Sequence, residues 1–466
     1  MSTIDFYYMP GSPPCAFLEL TGAALGIAHR FRYHCKELRR NETLQEDFIK
    51  INPQHTVPVI IDDGFTLWES RAICKYLVAK YGKEEHKTLY PADIKTRAII
   101  DQRLDFDLGT LYARFYEYYY WQLIDGSPLN EVRFKLVQEA LGFLNSFLEG
   151  NKFAVGSNMT LADLNLAVTI EIMRISNVSV QQYPNIVRWF ELVKRTAPKF
   201  EEVMQKYGKE HNEVVDFYLE ATVFQRAEQE QLQNQLNIKM CCITIDNSKM
   251  TIDYYCMDGS PPCAVVTLTV TALGIEAIVK QRLVDEMNNE HLKEEFLKIN
   301  PQHTAPAIVD DGFALSESRA IVKYLAAKYG NNKYYPQDVK TRALVDQRLD
   351  FDIGTLYPKL IDIYYSKILK KPLTEDQLKK MDDALSVLNM YLKENKFVVG
   401  AEATLADFSL GVTVALMEAF EINIKKYTNV VRWLALVKSS LPKFEETITE
   451  TTNDIKEFLE TMSKPQ

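Results

Sequence analysis

The sequence has little that would suit a nucleic acid, a membrane or a secretory route. Its 63 acidic and 54 basic residues leave a net charge of −9, and an acidic surface attracts neither a polyphosphate backbone nor anionic lipid. No apolar run reaches the roughly 20 residues that a membrane-spanning helix needs. The first residues, Met1–Asp5, lack the basic and apolar segments of a signal peptide. We therefore expect a cytoplasmic protein with no nucleic-acid or membrane partner.

Cysteine and histidine are also sparse. The seven cysteines have no regular spacing, which favours free thiols in a reducing compartment over a disulfide framework. The seven histidines show no metal-ligand spacing, and there is no glycine-rich phosphate loop. The sequence therefore predicts no metal site and no nucleotide cofactor.

The most informative feature that is present is an internal repeat. Residues 46–82 and 294–330 are identical at 28 of 37 positions without a gap, at an offset of 248. Such a repeat indicates a duplicated unit, so the chain is expected to carry the same machinery twice. Met250 stands just before the second copy begins and resembles a second start site. It is therefore an open alternative that the sequence joins the products of two neighbouring genes.

Within each copy the pattern changes from mixed to helical. Ile4–Met9 predicts a strand, Cys15–Leu25 a helix and Phe31–Tyr33 a second strand. Asp62-Asp63-Gly64 is hairpin chemistry between two short apolar runs, and Ser70 is the expected N-cap of the next helix. Apolar residues then recur at helical spacing from residue 94 onward, with capping boxes at 160–163 and 404–407.

This order predicts an α/β plus all-α fold class with two tandem units, each a thioredoxin-like N-terminal domain followed by an all-helical C-terminal domain. The expected segments are a thioredoxin-like domain at 1–83, an all-helical domain at 90–219, a linker at 220–250, a second thioredoxin-like domain at 251–330 and a second all-helical domain at 335–461.

Ser12 is the residue on which the chemistry is expected to depend. A hydroxyl at the N-terminus of a helix can donate a hydrogen bond to a bound thiolate, and the helix dipole adds positive potential there. Both effects favour the anion, and the thiolate is the nucleophilic form of a thiol. Ser260 is the equivalent residue of the second copy.

The run from Tyr8 to Cys15, together with the repeated stretch, resembles the cytosolic glutathione transferases of the insect delta/epsilon type. The resemblance covers nearly all of both halves. It implies attack of the glutathione thiolate on a small apolar electrophile, with glutathione as cosubstrate and no cofactor. It also implies pairing, either as a homodimer or as a pseudo-dimer of the two units within one chain.

The resemblance also assigns binding residues, with a cis peptide expected before Pro58. Those implied to bind glutathione are His55, Thr56, Val57, Pro58, Glu69, Ser70, Arg71, His291, His303, Thr304, Ala305, Pro306, Glu317, Ser318 and Arg319. An aromatic band and its counterparts are expected to bind the acceptor: Tyr112, Phe115, Tyr116, Tyr120, Tyr357, Ile361 and Tyr364.

The copies differ where function is expected. The histidine usual near the glycine end of glutathione is His291 in the second copy but Thr43 in the first. Conversely, Pro10 becomes Asp258, a carboxylate that disfavours a nearby thiolate. Pro358 is expected to kink its helix and reshape the second acceptor pocket.

Two other functions remain open. In the first, one or both units are non-catalytic glutathione-binding or scaffold modules, and Asp258 favours this interpretation for the second copy. The other is a glutathione-dependent thiol oxidoreductase that uses Cys15 or Cys263, since a lone thiol in this position still permits monothiol chemistry.

Overall fold

The computed structural model describes residues 3–37, 40–125, 128–223 and 251–463. It divides into two compact units, Met1–Lys239 and Met240–Gln466. Each unit has a mixed four-stranded sheet followed by a helical domain, as the sequence predicted. The expected linker at 220–250 lies, from residue 224 onward, outside the described residues.

The sheet of the first unit has the strand order β2-β1-β3-β4. β1 pairs parallel with β2 and antiparallel with β3, and β3 forms the predicted hairpin with β4. Asp63 and Gly64 at its turn have φ values of 50° and 76°, as a tight hairpin turn requires. The strands are β1 Ile4–Tyr8, β2 Phe31–Cys35, β3 Val59–Asp62 and β4 Phe65–Trp68.

Three helices complete this domain: α1 Pro13–Ala24, α2 Glu46–Ile51 and α3 Ser70–Tyr81. The N-cap of α3 is Glu69, with φ 67°, so the expectation that Ser70 caps this helix was wrong by one residue. Ser70 instead begins the helix and is buried.

The helical domain of the first unit starts where Asp93 caps a helix by accepting a hydrogen bond from the Thr96 amide at 2.8 Å. The capping box at Thr160 and Asp163 is confirmed, and Asp163 also accepts from the Trp189 indole at 2.7 Å. The helices are α4 Ile94–Phe106, a π-helical turn Asp107–Leu111, α5 Tyr112–Asp125, α6 Glu131–Phe147, α7 Leu161–Ile175, α8 Pro184–Thr196 and α9 Phe200–Val223.

α1 is the element that joins the two domains of the unit. It packs against α3 of its own domain and against α7 and α9 of the helical domain. Eight of its residues are buried, which explains why its sequence is apolar with no clear polar face. The N-terminus of α1 therefore lies where the two domains meet.

The second unit repeats this plan with strand order β6-β5-β7-β8. Pro358 is the second residue of α14, which continues directly from α13 through a π-helical turn. The kink expected at this proline stays a prediction. The elements are β5 Ile252–Cys256, α10 Pro261–Leu273, β6 Val279–Leu283, α11 Glu294–Ile299, β7 Ala307–Asp310, β8 Phe313–Ser316, α12 Ser318–Tyr329, α13 Val339–Phe351, the turn Asp352–Leu356, α14 Tyr357–Ile368, α15 Glu375–Tyr391, α16 Leu405–Leu416, α17 Thr428–Ser440 and α18 Phe444–Ser463.

Candidate active site

Ser12 is the N-cap of α1, and its side chain makes no capping hydrogen bond. The next two residues are prolines without N–H groups, and the amides of Cys15 and Ala16 both donate to the Ser12 carbonyl at 3.1 Å. The helix therefore has no unused amide in its first turn to offer an anion. The Ser12 hydroxyl is therefore the donor at this helix end that remains suited to bind an anion.

Ser260 repeats this position as the N-cap of α10, again followed by two prolines. Its surroundings differ, because Ser12 is buried whereas Ser260 is half-buried and follows the exposed Asp258. Burial raises the pKa of Asp258, and the carboxylates of Asp454 and Asp285 raise it further. The second serine thus lies in a more acidic and more open place than the first.

Cys15 is fully buried in the first turn of α1. Burial raises the pKa of its thiol to about 12, against a smaller opposing effect of the Ser12 hydroxyl. Cys263 is also buried, and burial raises its pKa too. Neither thiol is placed to ionise near neutral pH, which argues against the oxidoreductase alternative.

The loop before β3 exposes two of the residues that the resemblance implies to bind glutathione. The peptides before Pro58 and Pro306 are cis, as predicted for the first of them. His55 has φ 47° and is exposed, and the exposed Thr56 accepts a hydrogen bond through its carbonyl from the Asn52 side chain at 2.8 Å. Among their counterparts, His303 has φ 48° and Thr304 accepts from Asn300 at 2.7 Å.

Gln54 is a residue of this loop that sequence reasoning missed. It is buried, donates to the Glu69 carboxylate at 2.9 Å and accepts from the Trp68 indole at 2.6 Å. It therefore holds Glu69 in its left-handed conformation at the start of α3. Gln302 donates to Glu317 at the same distance, although Ser316 replaces the tryptophan. The identity of Asn-Pro-Gln-His-Thr in both copies was the signal that could have revealed it.

Arg71, which the resemblance implies to bind glutathione, has a partner within the protein. Its buried guanidinium forms an ion pair with Asp107 of the π-helical turn and donates to the Leu104 carbonyl at 3.1 Å. Asp107 also accepts from Asn165 at 2.7 Å and from Thr169 at 2.8 Å. Burial raises the pKa of Asp107, and Arg71 is the largest influence that opposes the rise. This network joins the two domains rather than facing solvent.

The second unit contains the same network. Arg319 pairs with Asp352 at 2.6 Å, and Asp352 accepts from Ser409 and from Thr413. Ser70 and Ser318 are buried beside these arginines. A narrow cavity in the first unit is lined by the first turn of α1 together with Ser70 and Tyr112, so these predicted residues do come together.

The aromatic band on α5 divides into core and surface. Phe115 is fully buried and stacks on Tyr119 at 5.4 Å, so its expected place in the acceptor pocket was wrong. Tyr116 is 41% exposed and stacks on Tyr120 at 4.9 Å. Tyr112 is half-buried 6.4 Å from Tyr116. These three rings form a continuous aromatic surface.

The corresponding surface of the second unit is less aromatic. Tyr357, Ile361 and Tyr364 are half-buried on α14, and the ring of Tyr357 lies 5.3 Å from the Arg319 guanidinium. The ring of His291, the histidine expected near the glycine end of glutathione, lies 6.1 Å from the ring of His303. Burial lowers the pKa of His291, and the neighbouring His303 lowers it further.

Within the described ranges, no group of three or more His, Cys, Asp or Glu side chains has the arrangement of a metal site. Over the same ranges, no helix combines the length and the apolar character that crossing a membrane requires.

Comparison with known proteins identifies the family. Residues 6–85 and 255–333 match the glutathione S-transferase N-terminal domain, and 126–195 and 355–440 match the C-terminal domain. The chain therefore belongs to the glutathione S-transferase family, and it carries both family domains twice. This membership supports glutathione S-transferase activity in general.

The similar solved structures are insect enzymes, and each covers about half of this chain. A delta-class glutathione transferase of Nilaparvata lugens is 40% identical, over 46% of this chain and 99% of its own, with a TM-score of 0.44. A Bombyx mori glutathione transferase is 38% identical, over 47% and 98%, with a TM-score of 0.44. An epsilon-class enzyme of the housefly, Musca domestica, is 32% identical, over 46% and 100%, with a TM-score of 0.42.

Proposed function

We propose that this chain conjugates glutathione to small apolar electrophiles in the cytoplasm, as a detoxifying enzyme that needs no metal or other cofactor. Ser12 and Ser260 are the activating residues. The observation that carries the proposal is the Ser12 hydroxyl, which is placed at the start of α1 without a capping role of its own. The prolines after it leave the hydroxyl as the suitable donor for a bound sulfur.

The reaction requires that the glutathione thiol ionise and that the thiolate be stabilised. The glutathione thiol loses its proton to water, and the Ser12 hydroxyl donates a hydrogen bond to the resulting thiolate. The sulfur then attacks the electrophilic carbon, a carbon–sulfur bond forms, and the leaving group departs with its electron pair. Ser12 forms no covalent bond, so its contribution is to stabilise the anion.

Glutathione would extend from Ser12 along the cis-proline loop toward the start of α3. The backbone of Val57 is available to pair with the cysteinyl part, and the carboxylate of Glu69, positioned by Gln54, can accept from the ammonium group. Ser70 lies at the same helix start. Arg71 then acts on this end of the site indirectly, since its ion pair with Asp107 positions the helix from which Glu69 and Ser70 reach the ligand.

The acceptor would bind against the tyrosines of α5. Tyr112 lies beside the first turn of α1, and the rings of Tyr116 and Tyr120 continue its surface along α5. Aromatic rings bind planar apolar molecules through area burial and stacking. The second unit offers Ile361 in place of Tyr116, so it should accept a different range of electrophiles.

The test is conjugation of glutathione to a chlorodinitroaryl acceptor by the full chain and by Ser12→Ala, Ser260→Ala and the double variant. We expect the double variant to lose most of the activity, because one hydrogen bond to an anion contributes about 1.5–3 kcal/mol. Thr21→Ala, which removes a buried hydroxyl within α1, is the matched control. Activity that is indifferent to both serines would refute the assignment.

A second function is favoured for the second unit alone. Asp258, Asp285 and Asp454 surround the approach to Ser260 with negative charge. A non-catalytic glutathione-binding module would therefore show normal glutathione affinity but no activity in the Ser12→Ala variant. Asp258→Pro, which restores the residue of the first unit, should then increase the activity that depends on Ser260.

A further inference from the structure

Helix α9 of the first unit passes directly over the residue before Ser12. Gly11 has φ 73°, and a Cβ added to it would lie 2.7 Å from both the Cα and the backbone nitrogen of His211. The Gly11 amide donates to the Glu210 carboxylate at 3.2 Å. The backbone that leads into Ser12 is therefore fixed by α9, which is 199 residues away in the sequence.

The backbone of His211 makes this contact, while its side chain points to other partners. His211 is 2% exposed. Its Nδ1 lies 3.4 Å from the Tyr120 hydroxyl, and its Nε2 lies 3.3 Å from the Ser176 hydroxyl. A neutral imidazole satisfies both neighbours, since one nitrogen accepts and the other donates.

The surroundings keep this imidazole neutral. Burial lowers the pKa of His211, and the Gly11 backbone opposes that effect. The titratable groups near it are Tyr119 and Tyr120 of α5, whose pKa values burial raises, and Glu210 of its own helix. A neutral imidazole adds no charge beside the thiolate site but holds three elements together.

The second unit keeps the main-chain contact with its glycine but lacks the imidazole. Asp454 takes the place of Glu210, since the Gly259 amide donates to it at 3.2 Å. Ile455 follows it and lies against Gly259, as His211 lies against Gly11. Phe420, which like Ser176 lies 16 residues after the threonine of the capping box, replaces the hydroxyl partner. The imidazole and its serine are therefore features of the first unit alone.

We propose that His211 is a positioning residue for Ser12, which fixes Gly11 and so keeps the Ser12 hydroxyl aimed at the glutathione sulfur in the first unit. This inference rests on the proposed function of Ser12. The imidazole touches no substrate. It acts through the α9 backbone, because the hydrogen bonds of its ring to Tyr120 and Ser176 fix the position of that backbone against Gly11.

The test uses the full chain with Ser260→Ala, so that the first unit alone supplies serine-dependent activity. In this background, His211→Ile introduces the residue of the second unit, and His211→Gln keeps a group that can hydrogen-bond. Val203→Ala is the control, since Val203 is buried on the same helix two turns away. The readouts are the ultraviolet absorbance of bound glutathione thiolate against pH and the pH profile of kcat/KM.

We expect His211→Ile to raise the apparent pKa of bound glutathione by about one unit, with about a tenfold loss of kcat/KM on the acidic side of the profile. His211→Gln should recover at least half of the shift, and Val203→Ala should not move it. If His211→Ile does not fold, Ser176→Ala carries the test, with a smaller shift in the same direction.

An unchanged thiol pKa in the folded His211→Ile variant would overturn the inference, as would an equal shift in Val203→Ala. A failure of the proposed function itself would give a different result. If Ser12 does not activate glutathione, Ser12→Ala in the same background would retain the thiolate absorbance at its original pKa.

Discussion

Removal of Asp107 should destabilise the first unit more than removal of any exposed carboxylate. Asp107→Ala leaves the guanidinium of Arg71, which is 7% exposed, buried without its ionic partner. Asn165 and Thr169 lose their acceptor at the same time. Breaking a buried ion pair by removal of one partner costs about 3–5 kcal/mol.

The magnitude can be read from urea unfolding. With a slope of about 2 kcal/mol per molar urea, a loss of about 4 kcal/mol lowers the midpoint by about 2 M. Tryptophan fluorescence reports mainly on the first unit, because Trp68, Trp121 and Trp189 lie in it and Trp433 lies in the second. Asp93→Ala is the matched control, since it removes an exposed aspartate that caps α4 and should cost only about 1 kcal/mol.

The double variant Arg71→Met with Asp107→Leu separates charge from packing. A buried ion pair replaced by apolar residues of similar size is often neutral in stability. The double variant should therefore recover about half of the loss, the remainder being due to Asn165 and Thr169. If Asp107→Ala shifts the midpoint no further than Asp93→Ala, the network does not hold the domains together and this reasoning fails.

Three further outcomes are expected. Alkylation of the folded chain at pH 8 should label the exposed Cys35 before Cys15 and Cys74, whose thiol pKa values burial raises to about 12, and equal labelling by peptide mass spectrometry would contradict this. Because burial lowers the pKa of His211, its stabilising effect is present above about pH 6.5 and is lost as the pH falls. The urea midpoint should therefore fall further between pH 7.5 and pH 5.5 in the wild type than in His211→Gln, and a smaller fall in the wild type would show that this sign is wrong. Asp163→Ala removes the acceptor of the Trp189 indole and the Ala154 amide and should cost about 2–4 kcal/mol in the same unfolding assay.

The parts of the fold that the sequence predicted correctly depend on local chemistry. The turn at Asp63-Gly64, the proline-led start of α1 and the capping box at Thr160 each involve residues within a few positions of one another. Such patterns restrict the backbone whatever the tertiary structure is. The hairpin, the helix starts and the order of domains followed from them.

The errors arose where distant residues decide the outcome. The ion pair of Arg71 could not be predicted, because its partner Asp107 is 36 residues away in another domain. Phe115 and Tyr116 are equivalent in an aromatic stripe, and only packing shows that the first is core and the second surface. Glu210 and His211 carry no local motif, so nothing in the sequence connects them with Gly11.

The differences between the two units are informative because the chain supplies its own comparison. Both units keep the serine at the helix start, the cis proline, the Gln–Glu hydrogen bond and the buried Arg–Asp pair. The residues that differ include Thr43 and Trp68 on the glutathione side. In the helical domain, Tyr116 of the aromatic surface becomes Ile361, and three buried residues also differ: Phe115 becomes Leu360, Ser176 becomes Phe420 and His211 becomes Ile455.

This pattern predicts that the units differ in their choice of acceptor. Stacking on Tyr116 and Tyr120, whose rings lie 4.9 Å apart, is available in the first unit, whereas Ile361 removes one of the two rings in the second. An aromatic pair contributes about 0.5–1.5 kcal/mol beyond area burial. The preference in kcat/KM for a planar nitroaryl acceptor over an aliphatic enal should therefore be about two- to twelvefold greater in Ser260→Ala than in Ser12→Ala. Tyr116→Ile in the first unit should reduce that preference toward the value of the second. Equal preferences in the two serine variants would mean that the aromatic surface of α5 does not contact the acceptor.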